Sequence, residues 1–144
     1  MAQATHLSAA ADPPPLPPGE VSTPCLVIFE DRVRHNAETA IAQAGGAGRL
    51  VPHVKTHRAP WVVRLLMELG VTAFKCATPR EARMILEQGA PEVVWAYPTV
   101  NRANIDAFVS LAASFPRARL CGWWTRLPAP RCGRTASRLA PRAT

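Results

Sequence analysis

The residues best suited to chemistry lie in one short stretch, Pro52-His53-Val54-Lys55-Thr56-His57-Arg58. This stretch follows an apolar pair and precedes an amphipathic helical pattern, which places Lys55 at the end of an expected strand. A lysine held at a strand end and partly desolvated has a lowered pKa, and its amine can then act as a nucleophile toward an aldehyde cofactor. The alternative that position alone leaves open is a solvated lysine between two ordinary loop histidines.

A repeated alternation of strands and helices has to position this lysine. Apolar runs predict strands over residues 25–29, 49–54, 72–77 and 92–97, and an apolar stripe at helical spacing follows each of them. Asp31 is the expected cap of the first helix. The third helix has the clearest start, because Thr78 is followed by Pro79 and then by Glu81, the spacing of a capping box.

Strands that alternate with helices predict an α/β fold with a parallel sheet. Periodicity leaves open two architectures, a small doubly wound sheet or half of an eight-unit barrel. In both folds, ligands bind beyond the carboxyl ends of the strands. Lys55, Thr78 and Tyr97 each end an expected strand, so we expect them on one rim of the sheet.

Charge and composition set two terminal segments apart from the rest of the chain. The formal net charge is +7, but residues 1–116 hold ten basic and ten acidic residues, whereas residues 117–144 hold seven arginines and no acid. Residues 1–22 are rich in proline and alanine and are expected to be disordered. Residues 117–144 form an expected irregular tail, apart from a strand-like start at 119–124. An out-of-frame reading of a GC-rich gene explains this tail better than a nucleic-acid-binding arm does.

Cysteine usage and hydropathy indicate a soluble, reducing setting, which we take as cytoplasmic. Cys25, Cys76, Cys121 and Cys132 show no metal-ligand spacing, and the first two lie in apolar runs typical of buried thiols. No apolar run reaches the roughly 18 residues of a membrane helix, and the N-terminus lacks the pattern of a signal peptide.

The lysine heptapeptide resembles the Pro-His-x-Lys-Thr-His-Lys/Arg signature of D-threonine aldolases and D-serine dehydratases. These enzymes belong to the alanine racemase-like class, the fold type III pyridoxal-phosphate enzymes. The resemblance covers roughly residues 22–116 and includes Thr23-Pro24, the run at 74–78, Glu81-Ala82 and Ala96-Tyr97-Pro98. It implies a partial (β/α)8 barrel of the alanine racemase N-terminal type, with about four βα units over residues 23–116.

The resemblance also implies roles for individual residues. Lys55 would form the internal aldimine with pyridoxal 5'-phosphate and later act as a base, while His53 and Tyr97 would contact the cofactor. His57 would either join the site or serve as a helix-entry residue, and Lys75 would be a second site lysine or a residue that tunes the charge. Relatives also use a divalent metal, but its ligands belong to a C-terminal domain without a counterpart here, so no metal ligand is assigned.

Three functional hypotheses follow, in decreasing order of preference. The first is the N-terminal part of a lyase acting on a D-amino acid, truncated and inactive alone, with a homodimer as the assembly of the full-length family. The second is a non-catalytic pyridoxal-phosphate-binding protein or pseudoenzyme. The third is a nucleic-acid binder that uses the Arg-rich tail. No membrane partner is expected.

Overall fold

The computed structural model describes Gly19, Ser22, Pro24 and residues 27–124. Most of the expected disordered segment at 1–22 and residues 125–144 of the Arg-rich segment lie outside this part of the chain. Cys25, Leu26 and Cys132 lie outside it as well, so the predictions made for them are not addressed by the structure.

The described chain is a mixed α/β fold with a parallel sheet, as predicted, and the sheet has three strands. In chain order its helices and strands are α1 Glu30–Ala44, α2 Pro60–Glu68, β1 Ala73–Cys76, α3 Pro79–Glu87, β2 Glu92–Thr99, α4 Arg102–Ser114 and β3 Arg119–Trp124. Short 3-10 turns occupy Ala47–Arg49 and Val54–Thr56. The strands are ordered β1-β2-β3, and each pair is joined by one helix, as parallel neighbours require. This arrangement is consistent with part of a barrel.

The helices cover one face of the sheet, because the buried strand residues alternate along each strand. Phe74, Val93, Trp95 and Leu120 are buried on the helix side. The Trp95 ring packs against Phe108 of α4 with 5.0 Å between centroids. The Trp95 indole N–H donates to the carbonyl of Ala77 at 3.0 Å, so this large side chain is both packed and hydrogen-bonded.

The opposite side of the sheet, which we call the open face, is less covered. Strand register aligns four residues across it, because His53 bridges to Lys75, Lys75 pairs with Val94 and Val94 pairs with Cys121. Lys75 is exposed and the other three are half-buried. Among the described residues, the open face is therefore where a ligand could reach the sheet.

The predicted start of α3 is confirmed. Thr78 is the N-cap and its hydroxyl accepts a hydrogen bond from the Glu81 backbone N–H at 3.2 Å, while Pro79 occupies the first turn. α2 likewise begins at Pro60. Gly70 and Gly89, with φ of 91° and 86°, follow α2 and α3 in the left-handed conformation that glycine adopts without strain.

The first two expected strands are not regular strands. Val27 and Ile28 are 40% and 38% exposed and lie outside any strand. In the 49–54 segment only His53 forms a bridge, with Lys75. Proline has no N–H to donate, so Pro52 contributes only its carbonyl, which accepts from Lys75 N at 2.8 Å. A strand needs a hydrogen-bonded neighbour on its partner strand, and an apolar run without one stays irregular.

Three boundaries also differ from the prediction. Asp31 does not cap α1, because the helix begins one residue earlier and its N-cap is Phe29, with no side-chain hydrogen bond. β2 does not stop at Pro98 but continues to Thr99 through a shift in register after Trp95, where the missing proline N–H is tolerated. The strand-like segment expected at 119–124 is confirmed as β3, so the sheet extends past the expected domain boundary at residue 116.

Candidate functional site

The 52–58 segment is an anchored turn at the carboxyl end of the sheet. One end is fixed to β1 by the bridge between His53 and Lys75. In the middle, Val54 is fully buried, and its carbonyl accepts from His57 N at 3.2 Å and from Arg58 N at 2.8 Å. The backbone that carries Lys55 is therefore held in place, but the Lys55 side chain is exposed, so the partial desolvation expected from the sequence is not observed.

Both lysines of the chain lie close to His53, Lys55 within the turn and Lys75 on the neighbouring strand β1. The sequence contains fifteen arginines but only two lysines, Lys55 and Lys75. Lys55 follows His53 by two residues, and Lys75 is the strand partner of His53. An ammonium can lose its proton to give a nucleophilic amine, whereas a guanidinium stays charged. The two side chains of the chain that could act as amines are thus both neighbours of one imidazole.

His53 is held as a hydrogen-bond acceptor through one ring nitrogen. Its Nδ1 accepts from the backbone N–H of Lys55 at 3.2 Å, so in the neutral ring the proton lies on Nε2. Partial burial lowers the pKa of His53, and the positive charges of Lys55 and Lys75 lower it further, against an opposing contribution from Glu81. The imidazole is therefore neutral at pH 7, with Nε2 as a donor.

His57 stabilises the entry to α2. Its Nδ1 accepts from the backbone N–H of Ala59, the N-cap of that helix, at 3.1 Å. Burial lowers the pKa of His57 below its ordinary value of 6.5. The structure thus gives His57 the helix-entry role that the sequence analysis offered as one of two alternatives, and the role of His57 in a site stays a prediction.

The lowered pKa of His57 predicts how stability depends on pH. The unfolded chain binds more protons than the folded chain below about pH 6.5, so the free energy of unfolding should fall as the pH decreases through that range. Urea unfolding of wild type and His57→Gln at a series of pH values measures this slope. The variant should show a shallower slope, whereas His35→Gln, at an exposed position of α1, should keep the wild-type slope. Equal slopes for all three proteins would contradict the assignment.

Glu81 is a site residue that sequence reasoning missed. It is only 4% exposed and is the buried charged residue of the described chain. Its Oε1 accepts from Arg58 Nε at 2.9 Å and its Oε2 accepts from Ala77 N at 2.8 Å. The capping-box pattern predicted the hydrogen bond from its backbone N–H to Thr78, but it did not predict these contacts of its carboxylate. A signal was present in the sequence, because Glu81 lies four residues before Ile85 and hence on the buried stripe of α3.

Tyr97 is not brought into this cluster by any described contact. Its side chain is 61% exposed and lies after Trp95, where the register of β2 shifts against β3. Thr78 also has a local role, since its hydroxyl caps α3. The structure therefore groups Lys55, His53 and Lys75, while cofactor contact by Tyr97 stays a prediction.

The pKa values of the described thiols are raised, which disfavours their nucleophilic thiolate form. Burial raises the pKa of Cys76 to about 12, with a further contribution from Glu81. Burial and the charge of Glu92 raise the pKa of Cys121. Thiolates, not thiols, attack electrophiles. The expected burial of Cys76 is confirmed, and its thiol is free in the structure.

A cleft of about 640 Å³ lies next to the Arg58–Glu81 pair, on the side of the helix starts. It is lined by Arg58, Pro60, Thr78, Arg80, Glu81 and Met84.

Across residues 27–124, no three His, Cys, Asp or Glu side chains are grouped closely enough to hold a metal ion. In the same part of the chain, every helix is too short or too polar to cross a membrane.

Comparison with known proteins gives a fold relationship. No family model and no curated protein matches the sequence. Among solved structures, the chain is similar to the crystal structure of D-threonine aldolase from Filomicrobium marinum, with 30% identity and a TM-score of 0.61. The match covers 71% of this chain and 27% of that one, so the chain spans about a quarter of the length of this relative. The similarity supports a fold related to the one that the heptapeptide suggested.

Proposed function

We propose that the chain is a relative of the fold type III pyridoxal-phosphate enzymes and that Lys55 binds the cofactor covalently. The observation that carries this proposal is the position of the only two lysines of the chain at the carboxyl end of the sheet, where Lys55 follows His53 by two residues and Lys75 is the bridge partner of His53. Ligands of parallel α/β folds bind at this end of the strands. The similarity to D-threonine aldolase supports the relationship to these enzymes, while the role of Lys55 rests on its position.

The residues of the cluster suit an aldehyde that also carries anionic groups. Lys55 offers an exposed amine on a fixed backbone, and its Nζ would hold the cofactor at the aldehyde carbon, with the aldehyde oxygen leaving as water. Lys75 places a second positive charge on the open face, where an anionic group would be attracted. The neutral His53 ring can donate from Nε2 without adding a third charge. When bound, the cofactor supplies an electron sink for bonds broken at the substrate α-carbon.

The substrate that we propose is a D-amino acid of the D-threonine or D-serine type, cleaved or dehydrated by a lyase of the family that the heptapeptide resembles. The other reading of the same cluster is a protein that binds the cofactor without turnover. Incubating the cofactor-loaded chain with D-threonine and with D-serine separates the two readings. Release of an aldehyde or an oxo acid supports the lyase, whereas binding without product supports the carrier.

Reductive trapping tests the cofactor-binding proposal directly. The chain is incubated with pyridoxal phosphate, borohydride converts the C=N bond to a stable amine, and peptide mapping locates the label. We expect the label mainly on Lys55, because its backbone is held at the sheet end. The N-terminal amine is the background, and a Lys55→Ala/Lys75→Ala double variant measures it. Labelling that is equal on Lys55, Lys75 and the N-terminus would contradict the proposal.

A further inference from the structure

The turn that carries Lys55 is connected to α3 by an ion pair with a buried carboxylate, which the proposed function does not use. Glu81 is 4% exposed, and its partner Arg58 ends the heptapeptide. Arg58 is also the non-glycine residue of the described chain with a positive φ, at 47°. Non-glycine residues in this region are strained and persist where surrounding contacts hold them. One ion pair therefore joins a buried charge, Glu81, to a strained backbone position, Arg58.

The contacts of Glu81 join three separate pieces of the chain. Its Oε1 accepts from Arg58 Nε at 2.9 Å, which links α3 to the end of the lysine turn. Its Oε2 accepts from Ala77 N at 2.8 Å, which links α3 to the residue after β1. Its own backbone N–H is bonded to the Thr78 hydroxyl. Both carboxylate oxygens are thus used, as a buried carboxylate requires.

The lysine turn is held at both of its ends. At the start, the Pro52 carbonyl accepts from Lys75 N at 2.8 Å and fixes the turn to β1. At the end, Arg58 N donates to the Val54 carbonyl at 2.8 Å while its side chain binds Glu81. Lys55 lies between these two attachments. Of these two attachments, only the one at Arg58 depends on side chains. The identities of Arg58 and Glu81 therefore specify it.

We propose that Arg58 and Glu81 are positioning residues that fix the direction of the Lys55 amine relative to Lys75 and His53. This inference rests on the proposed function, since it concerns the reactivity of the same lysine. The Arg58 side chain is 67% exposed, so the solvent weakens the electrostatic attraction. The geometric constraint is not weakened in the same way, because the Glu81 carboxylate is buried and bonded to the backbone of Ala77.

The ratio of trapped label on Lys55 to that on Lys75 tests the inference. Arg58→Ala removes the side chain that holds the turn. Glu81→Gln keeps the shape but leaves only one side-chain acceptor for two donors, Arg58 and Ala77. In both full-length variants we expect the ratio to fall about tenfold or more, because small displacements of a reacting group are costly. A merely structural role would lower stability without redistributing label between the two lysines.

Two controls match the variants. Asn101→Ala removes the side-chain cap of α4, whose Oδ1 accepts from Asn104 N at 3.1 Å, and so destabilises the fold away from the turn. Arg102→Ala removes an exposed ion pair with Asp106. Both should keep the wild-type ratio. If Arg58→Ala fails to fold, the isosteric Glu81→Gln decides the question.

The outcomes separate the inference from the proposed function. A wild type that labels Lys55 preferentially, with the same ratio in folded Arg58→Ala or Glu81→Gln, would overturn the positioning role alone. A wild type that labels both lysines equally would overturn the proposed function, and the inference with it. A lowered ratio in either variant, with unchanged controls, supports the positioning role.

Discussion

Replacing Lys55 with alanine is expected to abolish the covalent attachment of pyridoxal phosphate. The amine that would condense with the aldehyde is removed, while the backbone hydrogen bond from residue 55 to His53 Nδ1 is retained, because it uses only the main-chain N–H. We expect the apparent affinity to fall on the order of a hundredfold, which corresponds to about 2.7 kcal/mol. Loss of the C=N absorbance band measures the first change, and equilibrium dialysis against the cofactor measures the affinity.

Lys75→Ala is the matched control for that experiment. It removes the same number of atoms from the other lysine, on a strand whose pairing uses backbone groups. The C=N band should persist in Lys75→Ala, with weaker binding from the loss of one positive charge on the open face. A band that survives in Lys55→Ala and disappears in Lys75→Ala would assign the covalent role to Lys75 instead.

The second large effect concerns the core beneath the site. Trp95→Ala is expected to lower the free energy of unfolding by about 3–5 kcal/mol, the usual cost of truncating a large buried aromatic side chain. Trp95 is 1% exposed, packs on Phe108 and donates to the carbonyl of Ala77. The substitution leaves a cavity and an unpaired carbonyl. Because natural domains are stabilised by only about 5–15 kcal/mol, the variant should be largely unfolded near the wild-type midpoint.

Urea or thermal unfolding followed by far-UV circular dichroism checks this prediction. Val94→Ala is the control, because Val94 neighbours Trp95 on the same strand but lies half-buried on the open face. Its loss should cost much less. A similar loss of stability in both variants would mean that the open face is as closely packed as the helix face.

Local signals in the sequence were sufficient for most of the helices. The Thr78, Pro79 and Glu81 spacing fixed the start of α3, and Pro60 fixed the start of α2. Such signals are reliable because the groups that satisfy a helix end lie within four residues of each other. Where the cap was less specific, at Asp31, the observed cap is Phe29, two residues earlier.

Strand predictions depended more on distant partners. The apolar character of residues 49–54 was correctly recognised, but Pro52 cannot donate and only His53 pairs. Pro98 was taken as a stop, yet β2 passes it because the register against β3 shifts there. The strand at Arg119–Trp124 is defined by its pairing with β2, a partner that residue composition cannot reveal. Hydrogen bonds between strands are made across long sequence separations, which local patterns do not encode.

By itself, the sequence determined the alternation of strands and helices, the helix starts, and the heptapeptide with its lysine and two histidines. Only the tertiary structure decided that Lys75 lies beside His53, 22 positions away in the chain, and that Arg58 reaches Glu81, 23 positions away. The physical reason is that local backbone preferences act over a few residues. The environment of a side chain is instead set by whichever segments the packing of the sheet and helices brings next to it.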